Sequence, residues 1–156
     1  MTAAAVTIYA RPDGLYVASS DQTTDGLWIE SVRVEFVVPD SSSAIGGVVG
    51  RLLDGSRVGV RHPRQDEWTA KRAVASKPLL ALARVRSWTA FLQRTAVVGV
   101  HRNRDTDVTP YRQSDRPRNS FEQIVGSCTR LTAPSDDELG VAVIDAVAVA
   151  RASGAA

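Results

Sequence analysis

The residues best suited to acid–base chemistry in this sequence lie in the stretch HRNRDTD, which begins at His101. Asp105 and Asp107 follow closely, and three such groups could exchange protons with a substrate if the fold brought them together. The only other histidine is His62. The sequence has no Cys-x-x-Cys, His-Glu-x-x-His, Gly-x-Gly-x-x-Gly or phosphate-binding lysine loop. A histidine at a strand end beside a turn is therefore the favoured interpretation, and we expect no enzyme, no metal site and no cofactor.

Cys128 is the single cysteine of the 156 residues, so an internal disulfide is excluded. It lies in a stretch with strand-like apolar character, which predicts a buried and inert thiol. A lone cysteine also indicates a reducing compartment. The opening MTAAAVTIYARPDG lacks the features of a secretory signal, and no apolar run reaches the roughly 18 residues that span a bilayer. We therefore expect a cytoplasmic protein without membrane contact.

A basic segment with one aromatic residue, HRNRDTDVTPYRQSDRPR, could bind phosphate or RNA through guanidinium groups. The favoured alternative is an exposed hairpin edge, where charges prevent unwanted strand pairing. The residues concerned are Arg102, Arg104, Tyr111, Arg112, Arg116 and Arg118. Charge is unevenly distributed around this segment: residues 1–59 carry a net −3, residues 60–118 carry +8 and residues 119–156 carry −3. Such asymmetry can steer a charged partner.

The segment Lys77–Thr95, KPLLALARVRSWTAFLQRT, predicts two short helices around a tight turn. The first is expected to open at Ser76-Lys77-Pro78, with proline in its first turn, and Ser87 is expected to cap the second. This arrangement resembles a helix-turn-helix. However, apolar residues occupy much of the second helix and leave few side chains for reading bases. Two packed connector helices are therefore the favoured interpretation.

Two helix starts are related along the chain. In APSDDELG, Ser135 and Glu138 have the spacing of a capping box, and the acids suit the positive end of a helix dipole. VPDSSSAIGG offers serine caps in the same place after a proline. Gly46 and Gly140 are 94 residues apart. The small residues of the first helix, Gly46, Gly47 and Gly50, would let another element approach closely. Helical spacing predicts these buried positions: Ile45, Val49, Leu52, Leu139, Val143, Ile144 and Val147.

The order of elements before each helix is also repeated. Short strand-like runs flank RPDG and RNRDT, and each pair is followed by one further extended stretch, LWIESVRVEFVV or SFEQIVGSCTRLT. The sequence therefore predicts an α+β fold made of two related βββα units with antiparallel strands, joined by a short helical connector. The units are residues 1–59 and 96–156, the connector is residues 60–95, and together they form one compact domain.

Several segments in serial order resemble the immunity proteins of contact-dependent growth inhibition. The segments are VGVRHP, SKPLLALARVRSWTAFLQRTAVVGVHRN, DVTPYRQ, a phenylalanine at Phe121, and DDELGVAVIDAV. The resemblance covers most of the chain and is best over Val58–Ala150. It implies a cytoplasmic inhibitor of the CdiI type that binds the cognate C-terminal toxin domain, often a nuclease. It implies no catalytic residue, no cofactor, no small-molecule substrate and no specific nucleic acid.

A nuclease usually has a basic cleft, so an inhibitor is expected to offer carboxylates to it. The acidic N-terminal unit contains SSDQTTDGLWIE, in which Asp21, Asp25 and Glu30 surround Trp28. An aromatic anchor among charges is a frequent hot-spot composition, so these four residues are the predicted toxin-binding surface. The alternative is that Trp28 belongs to the core and the aspartates only form a turn.

Two further interpretations remain beside the inhibitor. The arginine hairpin, represented by Arg102, Arg104, Tyr111 and Arg112, is the secondary candidate surface and would suit a toxin with an acidic face. A small basic nucleic-acid-binding regulator that uses Lys77–Thr95 is the alternative function. A small enzyme that uses His101 is the third and least favoured.

Overall fold

A computed structural model describes residues 2–114 and 120–154 of the chain. Within these residues eight strands form one sheet, and four α-helices cover parts of its two faces. The strands are β1 (Ala4–Arg11), β2 (Gly14–Thr23), β3 (Trp28–Val37), β4 (Val58–Val60), β5 (Ala96–Arg102), β6 (Thr106–Ser114), β7 (Ser120–Gln123) and β8 (Thr129–Leu131). The helices are α1 (Ser42–Asp54), α2 (Trp68–Ala83), α3 (Trp88–Leu92) and α4 (Asp136–Gly154).

The sheet is almost entirely antiparallel, with strand order β3-β2-β1-β5-β6-β7. The short strands β4 and β8 pair with β2 and β6, and only the β2–β4 pairing is parallel. The central pair, β1 with β5, joins the first part of the chain to the last, with Val6 opposite Val100. The predicted α+β fold is confirmed. The division of the chain at residues 59/60 and 95/96 stays a prediction.

Strand alternation sends the apolar side chains of the central strands to two separate cores. On β1, Val6 and Ile8 belong to the larger core beneath α1 and α4. Tyr9 points to the other face and joins a second core with Tyr16 of β2. This second core is completed by buried residues of the connector, namely Leu79 on α2 with Phe91 and Leu92 on α3. Both faces of the middle strands are therefore covered.

The two long helices over the larger core begin at side-chain caps, as the sequence indicates. The Ser41 hydroxyl accepts a hydrogen bond from the N–H of Ala44 at 3.2 Å. The Ser135 hydroxyl accepts one from the N–H of Glu138 at 3.1 Å, and the Glu138 carboxylate accepts the Ser135 N–H in return at 3.5 Å. This reciprocal pair is the predicted capping box, and it satisfies donors that the first turn leaves free.

One predicted core residue of α4 lies outside the core. Leu139, Val143 and Val147 are buried as expected, but Ile144 is 39% exposed. Alanines at 142, 146 and 150 complete the buried face, so α4 contacts the sheet and α1 along one broad stripe. The prediction that all four residues are buried is therefore wrong for Ile144, because nothing in the described structure covers the opposite side of α4.

The first helix of the connector begins earlier than the sequence indicates. Residues 68–83 form one continuous helix with Pro78 inside it, and no new helix opens at Ser76. Good helix formers before the proline extend the helix toward its N-terminus. Pro78 lacks the N–H that would bond the carbonyl of Val74, and Val74 is largely exposed, so water can take that place. Ser87 caps α3 as predicted, accepting the N–H of Ala90 at 3.1 Å.

The extended stretch predicted over residues 120–132 is broken into β7 and β8. A turn separates them, and Gly126 adopts a positive φ of 79° in it, a conformation that glycine tolerates without steric cost. Cys128 lies between this turn and β8 and is exposed, so the prediction of a buried thiol is wrong. Its sulfur accepts a hydrogen bond from the Thr109 hydroxyl at 3.4 Å.

Candidate functional site

An open groove between edge strand β3 and helix α2 gathers all three tryptophans of the chain. Trp28 lies on β3, Trp68 begins α2 and Trp88 begins α3, and each is half-buried. The groove has a volume of about 500 Å³. Its remaining side chains include Glu30 of β3 and Lys71 of α2. We call it the tryptophan groove. Half-buried aromatic rings around an open cavity are a common composition of binding sites.

The groove exists because α2 is only lightly attached to the body of the protein. Leu79 is the one buried residue in this helix, and the N-terminal half of α2 carries mostly exposed side chains. A second, smaller cavity of about 160 Å³ also lies between α2 and β3, near Arg33 and Arg57. The contact of α2 with β3 therefore leaves space that a well-packed helix would fill.

Aromatic contacts fix the orientation of Trp88. Its ring stacks on Phe91 of the same helix, with centroids 5.1 Å apart and planes at 10°. It also meets the ring of Tyr9 edge-on at 5.5 Å. Phe91 is fully buried, so the second core supports Trp88 from below. This wall of the groove is therefore preorganised.

The other two tryptophans each contact a histidine. Trp28 meets His101 edge-on at 5.9 Å, and Trp68 meets His62 edge-on at 5.5 Å. The guanidinium of Arg72 lies 5.7 Å from the centre of the Trp68 ring, a distance at which a cation is attracted to the ring face. A groove tryptophan is thus already in contact with a guanidinium from its own chain.

Glu30 brings a carboxylate into this aromatic groove. It is half-buried and accepts a hydrogen bond from the hydroxyl of buried Tyr9. Burial raises the pKa of Glu30 above its usual value, and the hydrogen bond from Tyr9 offsets only part of that effect. Burial and the neighbouring Glu30 charge raise the pKa of Tyr9 as well. Within the described residues, Glu30 forms no ion pair.

Asp21, one of the four predicted surface residues, lies inside the protein. It is 4% exposed, and its carboxylate accepts hydrogen bonds from Arg33 and, at 2.9 Å, from Arg57. The backbone N–H of Arg57 adds a third at 3.0 Å. Burial opposes ionisation of Asp21, but these bonds outweigh it and hold the pKa of the carboxyl below its usual value. Asp21 therefore connects β2 to β3 and to the segment after α1 by hydrogen bonds. Little of its surface is accessible to a partner protein.

The other three predicted residues do come together at one end of β3. Trp28 and Glu30 line the tryptophan groove, and Asp25 lies in the exposed turn just before the strand. The Asp25 side chain is 66% exposed, and His62 lies 3.8 Å from its carboxylate. Trp68, Trp88 and Arg72 were absent from the predicted surface. No local signal marks them as one surface, because the three tryptophans belong to three separate segments of the chain.

The predicted arginine surface is partly neutralised within the fold. Arg102 forms an ion pair with Asp54 of α1 at 2.8 Å, and Arg112 forms one with Glu122 of β7 at 2.8 Å. Tyr111 packs against the second core. Arg104 is exposed, and its guanidinium has no ion pair with any described residue. Arg116 and Arg118 lie outside the described residues.

The acidic residues near His101 are engaged elsewhere. The Asp107 carboxylate accepts hydrogen bonds from Arg130 at 2.8 and 3.1 Å, and Asp105 accepts one from Thr132 at 3.2 Å. Desolvation lowers the pKa of His101, although the charge of Asp107 opposes this. No group of three metal-ligating side chains occurs within residues 2–114 and 120–154. No helix in the same residues is long and apolar enough to cross a membrane.

The helix-turn-helix interpretation of Lys77–Thr95 does not agree with the geometry. The helix that would enter a DNA groove, α3, has only five residues. Its Phe91 and Leu92 are buried in the second core, where they cannot reach base edges. The two helices are packed connector elements, as the favoured interpretation predicts.

Comparison with known proteins adds a likeness at the level of fold. No protein-family model matches the sequence, and no curated protein matches it. A Neisseria meningitidis protein of unknown function superposes with a TM-score of 0.78 at 14% sequence identity, covering 95% of each chain. A chain of the CdiA-CT/CdiI toxin and immunity complex from Yersinia pseudotuberculosis superposes with a TM-score of 0.76 at 14% identity.

The second superposition covers 97% of this chain and 98% of the Yersinia chain. The likeness is one of fold. At 14% identity a shared fold carries no residue roles with it, so the part played by the tryptophan groove has to be argued from its own chemistry.

Proposed function

We propose that this protein is an immunity protein that binds and neutralises the toxin domain of a contact-dependent growth inhibition system. The observation that carries the proposal is the end-to-end superposition on a chain of a toxin and immunity complex. The serial sequence segments that resemble this class of immunity proteins support it independently. The partner is the cognate C-terminal toxin domain, a nuclease is the favoured activity for that domain, and the cytoplasm is the expected place of action.

The chemistry of the chain favours the immunity-protein side of such a complex. A toxin domain needs groups that act on a substrate, whereas the acids beside His101 are held by Arg130 and Thr132. The tryptophan groove is lined mainly by apolar side chains together with a few charged ones, a composition that suits the binding of another protein. We therefore assign the chain to the inhibitor side.

The proposed contact surface is the tryptophan groove together with the turn that precedes β3. Trp28 and Glu30 stay in the surface as predicted, Asp25 adds an exposed negative charge beside it, and Trp68 and Trp88 extend it. Asp21 acts from inside by holding β2 and β3 together. Tryptophans in partly enclosed pockets are the residues that most often dominate binding energy. Exposed Arg104 marks the secondary surface.

Co-expression tests the proposal directly. If a large toxin gene lies immediately upstream of the gene for this chain, the C-terminal domain that it encodes is the candidate partner. We expect that domain to arrest growth when expressed alone and to be harmless when this chain is present, and we expect the two to purify as one complex. This chain expressed alone should leave growth unchanged. Growth arrest by this chain, or failure to protect and to co-purify, would contradict the proposal.

A further inference from the structure

Glu30 combines three properties that bear on ligand binding. Its carboxylate is half-buried, it lies in the tryptophan groove, and within the described residues it has a hydrogen bond from Tyr9 but no cationic partner. A partly desolvated carboxylate without a counter-ion is costly. The other half-buried carboxylate on the same strand, Glu35, has a counter-ion, since Arg51 lies 2.7 Å from it. Glu30 is therefore complementary to a cation that comes from outside.

The walls of the groove determine which cation fits best. Indole faces attract cations, and a planar guanidinium can stack on an indole while its N–H groups bond a carboxylate. Trp88 stacks on Phe91 and meets Tyr9 edge-on, and it also lines the groove. Arg72 already places a guanidinium near Trp68. An arginine side chain would satisfy both the aromatic walls and the carboxylate, whereas the ammonium group of lysine cannot stack in this way.

We propose that the tryptophan groove receives an arginine side chain of the protein partner, with Glu30 as its counter-ion and the tryptophans as its walls. The inference rests on the proposed function for the identity of that partner, a toxin domain. Lys71 and Arg72 are both exposed on α2, and neither forms an ion pair with Glu30 within the described structure. Their positive charges would instead favour an acidic group at the groove mouth, so an acidic ligand is the competing outcome of the test.

The first test needs no toxin. Nitrogen-15 labelling gives one indole N–H signal for each of the three tryptophans, and all three line the groove. The probes are Nα-acetyl-arginine methylamide, its neutral citrulline counterpart of nearly the same shape, and the glutamate derivative. We expect saturable shifts of the indole signals with the arginine probe and much weaker responses to the other two. No response to the arginine probe, or an equal or larger response to citrulline or glutamate, would overturn the inference.

Variants then connect the response to Glu30. Glu30→Gln removes the charge but keeps an oxygen that can accept the Tyr9 hydrogen bond, and it should weaken binding of the arginine probe roughly tenfold or more. Glu35→Gln is the matched control, because it makes the same change on the same strand outside the groove and should leave probe binding unaltered. Equal affinities for the wild type and Glu30→Gln would also overturn the inference.

The toxin domain provides the last step and separates the two proposals. Glu30→Gln and Trp68→Ala should each weaken the complex. When the toxin arginine that enters the groove is replaced by glutamine, Glu30→Gln should cause no further loss of affinity. If the toxin domain does not bind the wild type while the arginine probe does, the proposed function fails and the groove chemistry stands. If the toxin binds equally well to the wild type and both variants, the groove assignment fails and the proposed function stands.

Discussion

Gly46 of α1 lies directly against the backbone oxygen of Asp136 at the start of α4. The relationship is reciprocal, because Gly140 of α4 lies against the backbone oxygen of Ser42 at the start of α1. A Cβ atom at either glycine would overlap the opposing carbonyl. The two helices thus cross with their backbones in contact, four residues after each start, and this crossing covers the larger core.

Alanine at these glycines should separate the helices. A backbone carbonyl cannot rotate away as a side chain can, so we expect Gly46→Ala and Gly140→Ala each to lower the free energy of unfolding by about 1–3 kcal/mol or more. Gly47→Ala is the control on the same helix, since its Cβ would meet only the Asp136 side chain at 3.5 Å. It should be neutral or stabilise by up to about 1 kcal/mol. Urea unfolding midpoints measure all three, and similar losses at Gly46 and Gly47 would contradict the crossing.

The one-sided burial of α4 gives a second expectation. Val143 is fully buried and Ile144, its neighbour, is 39% exposed. Val143→Ala should cost about 1–3 kcal/mol because it leaves a cavity in the larger core, whereas Ile144→Ala removes more atoms but should cost less than about 0.5 kcal/mol. Thermal or urea unfolding of the two variants measures the difference. The reverse ranking would mean that α4 is rotated about its axis.

Asp21 should make the stability of the fold depend on acid. Hydrogen bonds from Arg57 and Arg33 hold the pKa of Asp21 in the folded protein below its pKa in the unfolded chain. As the pH falls, Asp21 is therefore protonated in the unfolded state before it is protonated in the folded state. Asp21 therefore makes its full contribution to stability above its ordinary pKa of about 4, and that contribution is lost as the pH falls through the lower pKa of the folded state.

Asp21→Asn should remove this acid dependence and lower stability by about 1–3 kcal/mol at neutral pH, because the hydrogen bonds from the partly exposed Arg33 and Arg57 lose their charged acceptor. Exposed Asp25 is the control, and Asp25→Asn should leave the unfolding curve almost unchanged. Unfolding measured between pH 3 and pH 7 checks both. A charge reversal at Asp21 would test folding and would carry no information about toxin binding.

Asp25 offers a cleaner test of charge at the proposed surface. If the toxin presents a basic face, Asp25→Lys should slow association several-fold with a smaller effect on dissociation, because a charge at the edge of an interface acts mainly through steering. Asp40→Lys makes the same reversal in an exposed turn beyond the other end of β3 and should leave the rate unchanged. Stopped-flow association at two salt concentrations measures both rates. Faster association of Asp25→Lys would indicate a toxin with an acidic face and would direct attention to Arg104.

Binding to nucleic acid should be weak and non-specific. The basic middle of the chain gives a long-range attraction to phosphates, but Arg102 and Arg112 are paired internally and α3 presents no polar face to a groove. Affinity for any duplex should fall steeply as salt rises, because it depends on counterion release. Tight binding to one duplex sequence at physiological salt would favour the regulator over the inhibitor.

Local features of this protein could be deduced from sequence because each is decided within a few residues. A helix cap such as Ser41, Ser87 or Ser135 is local, because the serine hydroxyl accepts a hydrogen bond from the backbone N–H three residues later. Strand alternation in β1 and β2 likewise depends on neighbouring side chains. The glycines of the first helix, Gly46 among them, predicted a close approach, although the sequence did not reveal that the approaching element is α4 or that Gly140 makes the reciprocal contact.

Tertiary structure decided the properties that depend on distant parts of the chain. Aspartate is usually found at the surface, and Asp21 is buried here because Arg33 and Arg57, 12 and 36 residues later, donate hydrogen bonds to its carboxylate. Ile144 is as apolar as Val143, and which of them is buried depends on where the sheet and α1 lie. The tryptophan groove is the clearest case, because three segments contribute one indole each. Burial and convergence are decided by the partners that folding brings to a residue, and those partners leave no local pattern in the sequence around it.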